Sequence, residues 1–292
     1  MIKKNGALKF NTYYENLFQK RWSLLKQAFE QKVSYVARVN KESGFVLKGQ
    51  KLFPYGKNAF MVENYPPPSE MENGLFDYYL MDPASLFPAY ALNVMPGDRV
   101  LDLCSAPGGK GLILFEELGG DGKLVLNELS QKRFLRLKNV VNNYISNESQ
   151  NIIKLTSHDA SRWCLYEKNC FNKILCDVPC SSERHVYNEK KHLDKWSEKR
   201  IKQLSIRQYA ILASAFEVLE TGGQLVYSTC SIGQMENDDV IAKLLKRKKG
   251  KVEIIADQSN EFSEETLYGQ QIFPDKTGFG PIYWAVIRKM EE

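Results

Sequence analysis

Two cysteines in the second half of this chain each stand where a strand runs out into a loop. One closes Asp177-Val178-Pro179-Cys180, and the other lies within Tyr227-Ser228-Thr229-Cys230-Ser231. Upstream, Val100-Leu101-Asp102-Leu103-Cys104-Ser105-Ala106-Pro107-Gly108-Gly109-Lys110 reads as a strand, a glycine turn and the start of a helix. A nucleotide-type cradle with two thiols on the same sheet edge suits one chemistry. A thiolate adds to C6 of a cytosine, electron density moves to C5, and C5 can then accept a methyl group. That reaction needs an activated cysteine, a group that meets the ring at N3, and another that assists release. Asp177 suits the ring contact, because a carboxyl in a partly dry site has its pKa raised. On chemistry alone, Cys180 and Cys230 are rival nucleophiles. Cys170 and Cys176 read instead as small buried apolar residues.

In open α/β sheets, ligands bind beyond the carboxyl ends of the strands, which is where residues 105–110 stand. Gly108 and Gly109 permit close backbone approach, and the following helix offers free N–H groups. The pattern is not G-x-G-x-x-G, which argues against a dinucleotide. Glu128 follows the second strand, about 20 residues after the glycines, where an acid can bind both ribose hydroxyls. Its other reading is an acid at a helix N-terminus. Asp159, after the third strand, can receive an adenine amino group or form a turn in His158-Asp159-Ala160. Carboxylates for ribose and base, without a phosphate-binding lysine motif, point to S-adenosylmethionine.

The elements that must position these residues follow from pattern. At 292 residues there is room for one large domain, or one domain and an appendage. With 43% hydrophobic and 26% charged residues, the chain reads as an ordinary globular protein. No apolar run reaches the roughly 18 residues of a membrane span, so no membrane partner is expected. A net charge of +5 permits a polyanionic partner without requiring one. The six cysteines form no secretory framework. Cys164, Cys170, Cys176 and Cys180 lack paired C-x2-C spacing, so no metal is expected. Lys3, Lys4 and Lys9 precede the first acid, Glu15, a pattern compatible with a transit segment.

Thr12-x-x-Glu15 reads as a capping box opening a helix. Tyr14, Leu17, Phe18, Trp22, Leu25 and Phe29 follow at helical spacing, on a face that packs on the main domain. Residues 33–75 mix short strand-like runs with turns, and Pro66-Pro67-Pro68 marks a stiff connection. The boundary is expected there. Residues 1–75 then form a small N-terminal helical extension for RNA or partner contact, and 76–292 the catalytic domain. In the latter, helix and strand alternate as in a doubly wound α/β sheet. Strands are expected at 100–103, 123–126, 152–155, 173–176 and 224–227, with 252–255 and 282–287 completing the sheet. Asp82-Pro83 and Ser130 are expected to cap helices. Gly222-Gly223 is expected to stop a long helix through Leu212 and Phe216.

Three stretches carry a resemblance. Cys104-Ser105-Ala106-Pro107-Gly108-Gly109-Lys110, Asp177-Val178-Pro179-Cys180-Ser181-Ser182 and Tyr227-Ser228-Thr229-Cys230-Ser231 resemble the motifs of the Sun-type RNA cytosine-5 methyltransferases. The match runs in order from about Asp77 to the C-terminus. It implies a class I S-adenosylmethionine-dependent methyltransferase fold, Rossmann-like, with a mostly parallel seven-stranded sheet and helices on both faces. It implies that Cys230, after threonine, attacks C6, and that Cys180, after proline, helps break the adduct. Lys110 would lie near the target base. The resemblance assigns S-adenosylmethionine to the glycine-turn residues from Cys104 to Lys110 and to Glu128, Arg133, Asp159 and Asp177. DNA cytosine methyltransferases use the Pro-Cys thiol instead, and Thr229-Cys230 is what favours RNA.

Finer features narrow the branch. Residues 78–86, Ser182-Glu183-Arg184-His185 and residues 278–283 resemble the two mitochondrial members, one acting on small-subunit rRNA and one on the wobble cytosine of methionine tRNA. Trp163 and Arg184-His185 lean toward the ribosomal enzyme; Pro274-Asp275-Lys276 and residues 236–240 lean toward the tRNA enzyme. A mitochondrial location follows from the resemblance, as does a helper similar to mitochondrial transcription-termination factors. Lys190, Lys191, Lys195, Lys199, Arg200 and Lys202 form a phosphate-contact surface or a mixed solvated loop, since acids interleave with them. Lys246-Arg247-Lys248-Lys249 is more purely basic, and Arg184 and His185 stand where a flipped nucleotide would pass. The other readings are a DNA cytosine-5 methyltransferase and a non-catalytic ribosome-assembly or tRNA-binding factor. Retention of both thiols, Asp177 and the glycine loop argues against the last.

Overall fold

The computed structural model describes residues 6–47, 50–62, 66–257 and 260–290, so Lys3 and Lys4 lie outside the described residues. The first helix begins at Gly6, six residues ahead of Thr12, which sits mid-helix rather than at a cap. Gln19, with φ 50°, breaks the expected single helix into α1 (Gly6–Phe18) and α2 (Arg21–Glu30). The break gathers Phe10, Tyr14, Trp22, Leu25 and Phe29 into one buried cluster and leaves Leu17 exposed. That cluster packs on Val186, Trp196, Ile201 and Ile232, in the segments that follow Cys180 and Cys230. Buried among them, the Tyr14 hydroxyl donates to Glu183 Oε1 at 2.6 Å.

Next come β1 (Tyr35–Val39), β2 (Ala59–Val62) and β3 (Tyr78–Met81), an antiparallel sheet in the order β2-β1-β3. It draws strands from both sides of residue 75. Buried Arg38 of β1 pairs with Glu116 at 2.7 Å and fastens this sheet to the helix Gly109–Leu118.

Five parallel strands carry the rest: β4 (Arg99–Asp102), β5 (Lys123–Asn127), β6 (Ile153–Thr156), β7 (Phe171–Asp177) and β8 (Leu219–Thr229), in the order β8-β7-β4-β5-β6. Consecutive residues bury to opposite faces. Val100, Leu175 and Val226 face one core; Leu101, Ile174 and Leu225 face the other. At one end lie β9 (Val252–Ile255), β10 (Glu264–Glu265), β11 (Gln270–Ile272) and β12 (Ile282–Lys289), all antiparallel. The seven expected strands all form, and β10 and β11 bring the sheet to nine among the described residues. Those two short strands read Glu-Glu and Gln-Gln-Ile, with no apolar alternation to mark them.

Local differences have local causes. The helix Glu198–Val218 ends four residues before Gly222, and Gly222-Gly223 lies inside β8. There the register against β7 breaks between Phe171 and Lys173, and Gly222 takes φ 78°, so the pair forms a bulge instead of a helix stop. Ser130 occupies the N-cap of the helix Gln131–Tyr144 without a side-chain cap bond. Asp82 does cap, accepting from Ala84 N at 2.9 Å ahead of Pro83.

Tyr14→Phe removes a donor from a buried carboxylate while keeping the ring. It is expected to lower unfolding free energy by about 1–3 kcal/mol in urea titration; an unchanged midpoint would show that Glu183's other donors suffice.

Candidate active site

Parallel pairing sets Asp177 opposite Ser228. Cys180 follows the first by three residues and Cys230 the second by two, so the chain delivers both sulfurs to one place. Their Sγ atoms lie 2.8 Å apart, and both side chains are half-buried free thiols. The hydrogen bond to Cys230, and after it burial, pushes the Cys180 thiol well above its ordinary range. Cys180 therefore keeps its proton and presents it to the sulfur of Cys230. Cys176 is fully buried in β7 and Cys170 packs against the same core, both apolar in role.

Beside the thiols, Lys110 Nζ lies 2.8 Å from Asp177 Oδ2, and Ser228 Oγ donates to Asp177 Oδ1 at 2.6 Å. Burial pushes the Lys110 ammonium down, but Asp177, Asp102 and Cys230 facing it outweigh burial and hold it above its ordinary value. Both oxygens of Asp177 are thus taken up as acceptors. Lys110 brings an ammonium donor to the cleft beside it.

Asp102 closes β4 at 1% exposure, and its Oδ2 has no hydrogen-bond partner. Burial, then the neighbouring Asp177, pushes this carboxyl up to about 7. With Tyr79, the glycine turn and Asp177 it lines a hollow of about 220 Å³. The turn itself is fixed by Ser105, whose N–H donates to Asn127 O at 2.8 Å and whose hydroxyl donates to Asp102 O at 2.9 Å. Gly108 has φ 127°, and a Cβ there would come within 2.8 Å of Val140, so only glycine fits.

A second hollow, of about 350 Å³, opens where β4, β5 and β6 end. Leu103, Cys104, Glu128, Arg133, Asp159 and Arg207 line it. Glu128 is buried, and its Oε1 accepts from Ser130 N at 2.8 Å. Its Oε2 makes no hydrogen bond, although Arg133 Nη1 stands 3.2 Å away. The acid thus serves its helix with one oxygen and keeps the other for the cleft. Arg133 Nη2 donates to Ala106 O at 2.5 Å and straps the helix Gln131–Tyr144 to the glycine turn. Asp159 Oδ1 accepts from the N–H and hydroxyl of Ser161 at 3.1 and 2.8 Å, so turn former and cleft residue are one.

The third hollow, about 510 Å³, contains the thiols together with Asp82, Lys110, Asp177 and Gly280. It shares Lys110 and Asp177 with the first and Arg133 with the second, so one cleft joins glycine turn, acids and sulfurs. Asp82, Asp102, Ser182 and Arg207 also line it and belong to no expected site. Asp102 was legible as an acid ending a strand just before the glycine turn. Arg207 was not, because only folding brings the helix Glu198–Val218 over this side of the sheet.

Arg184 is otherwise engaged. It donates to Gln31 O at 2.9 Å and Phe279 O at 3.3 Å, tying α2 to the loop before β12 instead of offering its guanidinium to a nucleotide. His185 is exposed, its ring 5.2 Å from that of His192. Lys190, Lys191, Lys195, Lys199, Arg200 and Lys202 are all exposed, Lys202 pairing with Glu198 at 2.8 Å. In the other basic run, Lys248 pairs with Glu217.

Sheet order, glycine turn and the acid after the second parallel strand define a class I methyltransferase. The motifs then give the family. The chain belongs to the family described as 16S rRNA methyltransferase RsmB/F, whose model matches residues 89–288. It is similar to the 5-cytosine rRNA methyltransferase NSUN4 of Bos taurus, 34% identical over 253 residues, covering 78% of this chain and 64% of the relative. It is also similar to the mitochondrial tRNA (cytosine(34)-C(5))-methyltransferase of Danio rerio, 32% identical over 236 residues, covering 77% and 64%. The chain thus spans 64% of the length of each. A methyltransferase homolog protein from Pyrococcus horikoshii shares the fold, with TM-score 0.74 at 24% identity over 94% of this chain and 93% of that one.

Between the ordinary carboxylate range and about 7, the folded protein holds a proton on Asp102 that the unfolded chain has lost. Stability therefore falls as pH rises through that window. Asp102→Asn is expected to remove this slope, gaining up to about 4 kcal/mol over wild type between about pH 4 and pH 8. Urea denaturation at the two pH values checks it; parallel slopes would put the proton elsewhere.

Proposed function

We propose that this protein is an RNA cytosine-5 methyltransferase acting on mitochondrial small-subunit rRNA. The observation that carries the reading is the meeting of the Cys180 and Cys230 sulfurs, 2.8 Å apart, beside the Lys110–Asp177 pair. When bound, S-adenosylmethionine supplies an electrophilic methyl group. Two features support its fit: buried carboxylate oxygens on Glu128 and Asp102 that lack hydrogen-bond donors, and a glycine cradle with no room for a Cβ. Glu128 would take the ribose hydroxyls, Asp159 the adenine amino group, and the turn from Cys104 to Lys110 the methionine end beside Asp102 and Asp177.

The residues divide the work as their geometry allows. Cys230 attacks C6 as the thiolate, while Lys110, held by Asp177, donates to the ring and stabilises the charge that addition builds. Once its sulfur is bonded to C6, Cys230 no longer accepts the Cys180 proton. The largest cause raising the Cys180 thiol is then gone, while burial and the nearby Glu236 and Glu183 still raise it. After C5 carries the methyl group, a solvent base removes the C5 proton, and Cys180 assists release of the adduct. The C5–H electrons form the C5–C6 double bond, the C6–S bond breaks, and Cys230 leaves as the thiolate.

A mitochondrial location is part of the reading and is supported by the name of the Danio rerio relative. We also propose that residues 1–75 serve RNA or helper contact, and that the helper resembles mitochondrial transcription-termination factors, as the sequence resemblance implies. A second reading, the wobble cytosine of mitochondrial methionine tRNA, is favoured by the same relative and by Pro274-Asp275-Lys276.

Cys180→Ala is expected to accumulate a covalent protein–RNA adduct on denaturing gels, and Cys230→Ala to form none. The opposite pattern would exchange their roles. Bisulfite sequencing of organellar RNA, with and without the protein, should lose one protected cytosine in small-subunit rRNA. Loss at the methionine tRNA wobble position would favour the second reading, and loss at neither would sink both.

A further inference from the structure

Ser182 belongs to no assigned role, yet its hydroxyl touches both reacting sulfurs. Oγ lies 3.2 Å from Cys230 Sγ and 3.5 Å from Cys180 Sγ, and the residue lines the hollow that holds them. We infer that Ser182 is a catalytic residue whose hydroxyl donates a hydrogen bond to Cys230 and holds that sulfur as the thiolate. The inference rests on the proposed role of Cys230 as nucleophile.

Backbone and capping do not account for a serine here. Ser182 precedes the short helix Glu183–Asn188, where a serine hydroxyl ordinarily satisfies a free N–H, but no side-chain cap bond forms. Its φ of 54° and ψ of 61° are left-handed, a conformation that favours glycine. Strained backbone persists only where its surroundings over-determine it, and it gathers at functional sites. Both flanks are pinned. Ser181 N donates to Glu236 Oε1 at 3.0 Å, and buried Glu183 accepts from Tyr14, Ser231 Oγ and Ile232 N. Ser182 O in turn accepts from Val186 N at 3.0 Å. The strain aims the hydroxyl at the sulfurs.

The donor arithmetic is consistent. A serine hydroxyl has one proton to give, and the nearer sulfur is that of Cys230. Cys180 keeps its own proton and supplies a second bond to the same atom. Two donors on one sulfur favour its charged form. They act again when the C6–S bond breaks and the electron pair returns to Cys230. Ser182 stays a hydroxyl throughout.

The test is alkylation by iodoacetamide in the RNA-free protein, followed on the Cys230 peptide by mass spectrometry across pH. Ser182→Ala is expected to slow Cys230 about fivefold at neutral pH, the size of one hydrogen bond. The difference should close at alkaline pH, where ionisation no longer needs the donor. Ser182→Gly relieves the positive φ, so it should melt no lower than wild type and show the same slowing. A wild-type rate in Ser182→Gly at neutral pH, or slowing equal at every pH, overturns the inference. Failure of the nucleophile reading would show separately, as an RNA adduct persisting in Cys230→Ala.

Discussion

Beneath the thiols, two acids are forced to share a space too dry for two charges. Glu183 follows Cys180 and Glu236 follows Cys230, and both are buried. Ser231 Oγ lies 2.9 Å from Glu183 Oε1 and 3.0 Å from Glu236 Oε2, and the Ser181 hydroxyl touches both carboxyls. Burial, then Glu183 beside it, pushes Glu236 up to about 7. The pair shares hydrogen bonds with two serines, each next in chain to one of the paired cysteines. Two loops that leave different strands are thereby joined into one rigid floor. Without it, parallel pairing would bring the sulfurs near each other but leave their loops free to part.

The cleft above is built on the same economy of donors. Lys110 and Ser228 consume both oxygens of Asp177, and Cys180 keeps its proton because Cys230 accepts it. Asp102 Oδ2 and Glu128 Oε2 are buried and make no hydrogen bond, although Arg133 forms an ion pair with Glu128. A buried acceptor without a donor is costly, and a ligand that donates to these oxygens would offset that cost.

Much of this was readable because the chemistry sits at strand ends. Cys180, Cys230, the glycine turn, Glu128 and Asp159 are each fixed by a short local pattern, and a parallel sheet brings such ends to one edge. Arg133, in the first turn of the helix that follows Glu128, came only from the family resemblance and has no local pattern of its own. Helix ends and bulges were harder. Thr12 and Glu15 have capping-box spacing, yet α1 starts earlier because Phe10 must be buried with Tyr14 and Trp22. Gly222-Gly223 looks like a helix stop and is a bulge, since Leu219 already pairs with Phe171. Ser182 could not be read at all. Its importance lies in a left-handed backbone set by Glu183 and Glu236, whose meeting no spacing rule anticipates.

The contact between Tyr14 and Glu183 spans 169 positions of sequence. Phe10, Trp22, Leu25 and Phe29 are made about 200 residues ahead of Ile232, which completes the surface that shelters them. At about 5–20 residues per second, that is a wait of about 10–40 seconds with an aromatic face uncovered. A chaperone's protection therefore matters most before the second thiol has been made.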